Sequence, residues 1–341
     1  MDTLEQRRIT IKDVAQELGL STATVSNVIH GKTKKISNQT VHKVQEKLEL
    51  SGYIPNMAAV LLAQNTSRIV CVVLSDDVKY EGKMIEDPFV SGILNGLSKE
   101  LAENDYFMMV KEEANLDSIV RYASMWNMAG LILVGYCLRD YEEIRRKMHI
   151  PFVVIDSYQK EVQNFSDVGI DNIDGGFMAG MHLIENGHTK IMYLADNKED
   201  GDYERYLGLT KALKEKKLEY SESDYKLLDM NLEKRKLIYQ TLLDELPLYT
   251  AAFCASDMYA IEFMNFLLEK GIKVPTDFSI IGFDDIPLAS FVYPGLSTIS
   301  QDLSKRAKTA VLLLQELMEG KKARTVRLPV TLVVRNSVNR I

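Results

Sequence analysis

Apolar residues recur at helical spacing through Ile11, Val14, Ala15 and Leu18, and the run is bracketed by Thr10 and Gly19. The pattern predicts a helix. The Thr10 hydroxyl accepts the amide of the third helical position, Asp13 at that position favours the positive helix end, and Gly19 adopts the left-handed turn that stops the helix. A second helix is predicted over Thr22–Ile29, capped by Ser21 and ended near Gly31. The turn between them is so short that the two helices must cross steeply, as in a helix-turn-helix. An ordinary helical hairpin is the alternative. Ala15 lies at the closest approach, and Val14, Leu18, Val25 and Val28 have the spacing to fill the wedge. The remaining face of the second helix (Thr22, Ala23, Ser26, Asn27) is short and polar, which suits solvent or the major groove of DNA. A third helix, capped by Ser37, runs through Val41, Val44 and Leu48 towards Gly52. Beyond Tyr53-Ile54-Pro55-Asn56 comes Met57–Ala63, apolar, alanine-rich and too short to be helical alone in water. It reads as a segment that folds against a partner or as an interdomain linker.

From Arg68 onward short apolar runs alternate with helical stretches. Ile69–Leu74, Phe107–Val110, Gly130–Val134 and Phe152–Ile155 read as buried strands, with helices over Pro88–Asn104, Ile119–Asn127 and Tyr141–Met148. The rhythm repeats with strands at Ile191–Leu194, Ala251–Ala255 and Ser279–Gly282, and helices over Asp174–Asn186, Tyr203–Lys217, Leu232–Leu246 and Asp257–Lys270. Such alternation predicts parallel sheets with helices on both faces, and two successive sets predict two lobes. Ligands of such sheets bind beyond the carboxyl ends of the strands. There stand Asp76 and Asp77, Asp156, Ser256 and Asp257, and Asp284 and Asp285. Singly each reads as a cap or turn residue; together they ring one cleft. Carboxylates in a cleft suit polyhydroxylated ligands, because each accepts from two hydroxyls.

A length of 341 residues fits about two domains, and 46% hydrophobic with 26% charged residues is globular composition. No apolar run spans a bilayer, and the start MDTLEQRRIT lacks a signal-peptide core, so a cytoplasmic protein is expected. Three scattered cysteines build no disulfide framework. The net charge is −7, but residues 1–67 carry +2 and the remainder −9, so only the small head is expected to meet phosphate. There is no phosphate loop and no HExxH pattern. The histidines are dispersed, and no nucleophile has an adjacent base. The chain is therefore expected to be no enzyme, with no metal or cofactor.

Residues 10–63 (TIKDVAQELGLSTATVSN…YIPNMAAVLLA) resemble the head and hinge of the lactose-repressor family of bacterial transcription regulators. So do Val274-Pro-Thr-Asp-Phe-Ser-Ile-Ile-Gly-Phe-Asp-Asp-Ile286, Leu296-Ser-Thr-Ile-Ser-Gln301, Gly187-His-Thr-Lys-Ile191 and Arg205-Tyr-Leu-Gly208. The resemblance implies an all-α helix-turn-helix head over 1–55, a hinge helix and linker over 56–67, and an α/β periplasmic-binding-protein-like body over 68–341. Its lobes are expected at 68–167 with 302–325 and at 168–301 with 326–341, joined by three crossovers. Thr22, Ala23 and Asn27 match base-reading positions, and Leu62 matches the leucine that wedges into the minor groove. Thr10, Ser21, Thr24, Ser26, His30, Asn56 and Ala59 complete the implied DNA-facing set. Asn27 stands where the family usually has arginine, and Met57 where it often has arginine; asparagine pairs best with adenine, arginine with guanine.

In the body the resemblance places Asp156, Arg205, Ser256, Asp284 and Gln301 at effector-contacting positions and Phe89 at the cleft mouth, beside the Asp76 read from its strand end. Ser256 stands where many sugar-responsive members have asparagine. Arg205 is either a ligand contact or an anchor tied to a carboxylate across the cleft. No leucine heptad follows Asn336–Ile341, so a homodimer on double-stranded, two-fold operator DNA is expected. The expected function is a DNA-binding regulator, read as a repressor, controlled by a small molecule and most simply a neutral sugar. A purine, a phosphorylated metabolite or a partner protein is the alternative effector. A periplasmic solute receptor is excluded by the head.

Overall fold

The computed structural model describes residues 9–29, 31–53, 67–74, 84–113, 115–135, 145–148, 150–158 and 165–341. The chain divides at residue 66 into a helical head and an α/β body, so Ser67 belongs with the body, one residue before the expected boundary.

In the head, α1 (Ile11–Leu18), α2 (Thr22–Ile29) and α3 (Asn38–Leu50) enclose Val14, Ala15, Val25, Val28 and Val44. All three caps are as predicted. Thr10 and Asp13 form a reciprocal capping box, in which the Asp13 amide donates to the Thr10 hydroxyl and the Thr10 amide to the Asp13 carboxylate. Gly19 ends α1 in the left-handed conformation at φ 64°. The Thr24 amide donates to Ser21 Oγ, and that of Thr40 to Ser37 Oγ.

The body runs through β1 (Ile69–Leu74), α4 (Pro88–Glu103), β2 (Phe107–Glu112), α5 (Leu116–Met125), β3 (Gly130–Val134), β4 (Phe152–Ile155) and β5 (Ser166–Ile170). It continues with α6 (Asn172–Glu185), β6 (Ile191–Ala195), α7 (Asp200–Glu215), β7 (Tyr225–Leu227), α8 (Leu232–Leu242), β8 (Ala251–Cys254), α9 (Asp257–Glu269), β9 (Ser279–Ile281) and α10 (Pro287–Phe291). The last part is β10 (Thr298–Ser300), α11 (Leu303–Met318), β11 (Thr325–Leu328) and β12 (Thr331–Val333). Lobe one is a sheet in the order β11-β5-β4-β3-β1-β2, and lobe two a sheet in the order β7-β6-β8-β9, all pairs parallel; β10 and β12 form a separate antiparallel pair. Each sheet has apolar side chains packed on both faces. No described helix is long and apolar enough to cross a membrane.

The lobe boundaries differ from those expected at 167 and 325. β5 pairs with both β4 and β11, so lobe one keeps the chain to Ile170 and again to Leu328. The β5 stretch Ser166-Asp-Val-Gly-Ile170 does not look like a buried strand, yet all five residues are buried. Asp167 is accommodated because Arg327 Nη1 and the Ser157 amide donate to it, at 2.5 and 3.0 Å. The lobes are joined by three crossings, after β5, between β10 and α11, and between β11 and β12.

The packing of α6 on α7 fixes the site. A Cβ at Gly176 would run into the carbonyl of Arg205, and one at Gly208 into the carbonyl of Ile173. The backbones of the two helices touch at these glycines, which sets the position of Arg205.

Candidate functional site

On the head, Thr22, Ala23 and Asn27 are exposed on α2, and Thr24 and Ser26 are half-buried beside them. Thr10 and Ser21 are exposed, though both hydroxyls already serve as helix caps. Lys32, Lys34 and Lys35 stand exposed in the turn after α2. The face thus offers short polar groups flanked by cations, the chemistry that meets base edges and phosphates. His30, Asn56, Met57, Ala59 and Leu62 lie outside the described residues.

The body holds a cavity of about 270 Å³, close to the lower end of small-molecule sites at roughly 300–1,000 Å³. Phe89, Asp156, Arg205, Ser256, Asp284 and Gln301 all line it. Six positions spread over more than 200 residues of sequence are therefore brought together; Asp76 lies outside the described residues. Five are presented where a strand ends or a helix begins, and Arg205 comes from the second turn of α7. Asp156 follows β4 at φ 62° and Asp284 follows β9 at φ 118°, left-handed conformations that non-glycine residues adopt rarely and at a cost. Ser256 caps α9, accepting from the Tyr259 amide.

The carboxylates at the strand ends divide by role. Asp257 is fully buried and accepts from the Ile286 amide and the Thr298 hydroxyl, so it braces the loop. Asp285 is paired with Arg335 at 2.6 Å. Asp156 and Asp284 face the cavity. Gln301 Nε2 donates to Asp284 at 2.6 Å, while Arg306 of α11 donates to Gln301 Oε1 and pairs with Asp156. A polar chain, Asp156–Arg306–Gln301–Asp284, thus runs from lobe one to lobe two. Asp156 Oδ1 has no hydrogen-bond partner among the described residues.

Burial pushes the Asp284 carboxyl up to about 7; Arg205 and the Gln301 hydrogen bond oppose the rise, and Asp87 adds to it. Arg205 is anchored within lobe two rather than across the cleft. Its Nε donates to Asn172 at 3.0 Å and its Nη1 to the carbonyl of Ala255 at 2.5 Å, with Asp202 at 3.4 Å. It lies 3.8 Å above the Phe283 ring. Burial lowers its basicity, but the Asp284 and Asp202 carboxylates outweigh that and raise it.

Asp87, Tyr158, Asp202, Met230, Arg235, Met258, Tyr259, Glu262 and Ile286 also line the cavity and escape sequence reasoning. Some leave a local trace: Tyr158 is two residues past Asp156, Asp202 one turn before Arg205, and Met258 and Tyr259 in the turn that Ser256 caps. Met230 and Arg235 leave none. Among the described residues no group of three metal-ligating side chains is present.

Comparison with known proteins matches residues 10–56 to bacterial regulatory proteins, lacI family, and residues 181–338 to a periplasmic binding protein-like domain. The HTH-type transcriptional repressor PurR of Mannheimia succiniciproducens is 30% identical over 97% of this chain and 99% of its own length. The lac repressor dimer bound to operator and the anti-inducer ONPF aligns over 98% of this chain and all of its own, at 26% identity and TM-score 0.84. A complex of the transcriptional regulator CelR with cellobiose aligns over 97% of this chain and all of its own, at 26% identity and TM-score 0.72.

Proposed function

Because the chain belongs to the lacI family of bacterial regulatory proteins, we propose that it is a homodimeric transcriptional repressor whose operator affinity is set by a neutral sugar in the inter-lobe cleft. Two heads placed on half-sites about 34 Å apart, or a multiple of that, match a two-fold operator. Thr22, Ala23 and Asn27 read bases, the lysines after α2 hold phosphates, and Leu62 wedges the minor groove. The lac repressor relative is a dimer on its operator. Here α10 offers an apolar face for pairing, with Leu288 and Phe291 exposed and Tyr293, just past it, 93% exposed.

The observation that carries the ligand class is that every described arginine at the cavity already has a carboxylate partner. Arg205 is held by Asn172, Asp202 and a carbonyl, and Arg235 by Glu262 and two carbonyls. Arg306, behind the wall, is held by Asp156 and Gln301. Each described guanidinium at the cavity already has a carboxylate beside it, so a phosphate would meet no uncompensated cation, whereas Asp156 and Asp284 keep acceptor capacity for hydroxyls. The relative named above with cellobiose bound supports a sugar. Binding selects one arrangement of the lobes, and coupling of this kind changes affinity about 5–150-fold.

The test begins by selecting sites for the full chain from a random duplex library, then titrating the selected duplex with neutral sugars, sugar phosphates and purines. A two-fold symmetric consensus is expected, with operator affinity changed at least fivefold by a neutral sugar. Asn27→Arg should move one base preference per half-site from adenine to guanine, since the two side chains pair best with those bases. An asymmetric consensus would sink the dimeric reading. A response only to sugar phosphates or purines would overturn the ligand class.

A further inference from the structure

The lining of the cleft contains two hydrogen-bonded sets. One surrounds Asp156, Asp284 and Arg205. The other belongs wholly to lobe two: Met230 from the loop after β7, Arg235 from α8, and Met258, Tyr259 and Glu262 from α9. They meet through a bridge in which Asn197 donates to Asp202 at 3.2 Å and to Asp196 at 2.7 Å, while the Tyr259 hydroxyl donates to Asp196 at 2.6 Å.

The second set is built rather than incidental. Arg235 Nε and Nη2 grip Glu262 in a fork at 2.7 and 2.9 Å, and its Nη1 donates to the carbonyls of Asp229 at 2.9 Å and Met230 at 2.6 Å. The Tyr239 hydroxyl also reaches Glu262, at 3.4 Å. The arginine is buried, so it cannot swing out to a ligand; it fixes Glu262 and ties the Met230 loop to α9. A fork of this kind occupies one acceptor site on each carboxylate oxygen, and a carboxylate has about four. The Tyr239 hydroxyl takes a third site, on Oε2, so Glu262 lines the cavity with one acceptor site left, on Oε1, and its charge already paired. Two methionines and the Tyr259 ring give apolar surface beside it, the surface that the less polar face of a sugar ring covers.

We propose that Glu262 is a specificity-determining residue that accepts a hydroxyl from the second unit of a two-unit ligand, so that the cleft selects a neutral disaccharide over a monosaccharide, with Arg235 as its positioning residue. This rests on the sugar reading of the cleft. The first ring sits at Asp156, Asp284 and Arg205. The second lies on Met230 and Met258 with one hydroxyl directed to Glu262.

Calorimetric titration of the full chain with matched pairs of monosaccharides and their disaccharides tests this. The readout is the ratio of the two affinities, which a merely structural role of Glu262 would not move. The ratio should be at least tenfold in the native protein for one disaccharide. It should fall below threefold in Glu262→Gln and in the double variant Arg235→Met with Glu262→Met. The double variant removes both charges together and so avoids leaving a buried arginine unpaired; a cooperative thermal melt checks its fold. A ratio that survives both substitutions overturns the proposal while the sugar reading stands, as does a native protein that binds the monosaccharide equally well. If no neutral sugar binds, there is no monosaccharide baseline, and the sugar reading falls together with the proposal.

Discussion

Asp284→Asn should weaken neutral-sugar binding by about 10–150-fold and erase its dependence on pH, while the variant still binds operator in the absence of sugar. The magnitude follows from losing a hydrogen bond to a charged acceptor, about 1.5–3 kcal/mol. The pH dependence follows from burial, which pushes this carboxyl up to about 7. Ligand hydroxyls donate best to the ionised form, so binding releases a proton wherever the free carboxyl is protonated. Affinity should therefore climb with pH up to about 7 and level off above it. Stability of the ligand-free body has the opposite sign. The folded state binds this proton more tightly than the unfolded chain, so the contribution of Asp284 is present at acid pH and is lost as pH rises from about 4 through about 7. Asparagine keeps the shape and removes both effects. Calorimetry at several pH values between 5 and 9 checks this; an unaltered slope in the variant would assign the titration to another group.

The same residue shows what sequence reasoning reaches and what it does not. Asp284 follows an apolar strand within a recognisable stretch, and the rule that ligands bind beyond strand ends selects it. That rule does not separate it from Asp285 and Asp257, whose partners Arg335 and Thr298 come from elsewhere in the chain. Arg306 shows the difficulty most plainly. In Leu303-Ser-Lys-Arg-Ala-Lys308 it looks like one more surface cation, yet it is 1% exposed and neutralises Asp156. Burial of a charge depends on a counter-charge about 150 residues away, and no local pattern carries that information. β5 was hidden for the same reason, its Asp167 made tolerable by Arg327. Periodicity places elements and ends; the pairing of charges across elements needs the fold.

Gly208→Ala should cost about 3 kcal/mol or more, lower the melting temperature of the body by about 6–12 °C and weaken ligand binding with it. The added methyl would meet the Phe177 amide nitrogen at 2.6 Å and run into the carbonyl of Ile173. Both belong to the backbone of α6, so no rotamer change relieves the clash and the helices must part. Moving α7 carries Arg205, one turn earlier, away from Asn172 and the Ala255 carbonyl, leaving a buried guanidinium with broken bonds beside Asp284. Gly180→Ala on the same crossing is the graded comparison. Its Cβ would meet the side-chain atoms Ala212 Cβ at 2.9 Å and Leu209 Cδ1 at 3.0 Å, and the nearest backbone atom, Leu209 Cα, only at 3.4 Å, so a smaller shift accommodates it. Thermal melts of the two variants should rank Gly208→Ala well below Gly180→Ala, and ligand affinity should follow the same order. The reverse order would mean that α7 is not held to α6 by backbone contact, and that the glycine in Arg205-Tyr-Leu-Gly208 serves something other than the placement of Arg205.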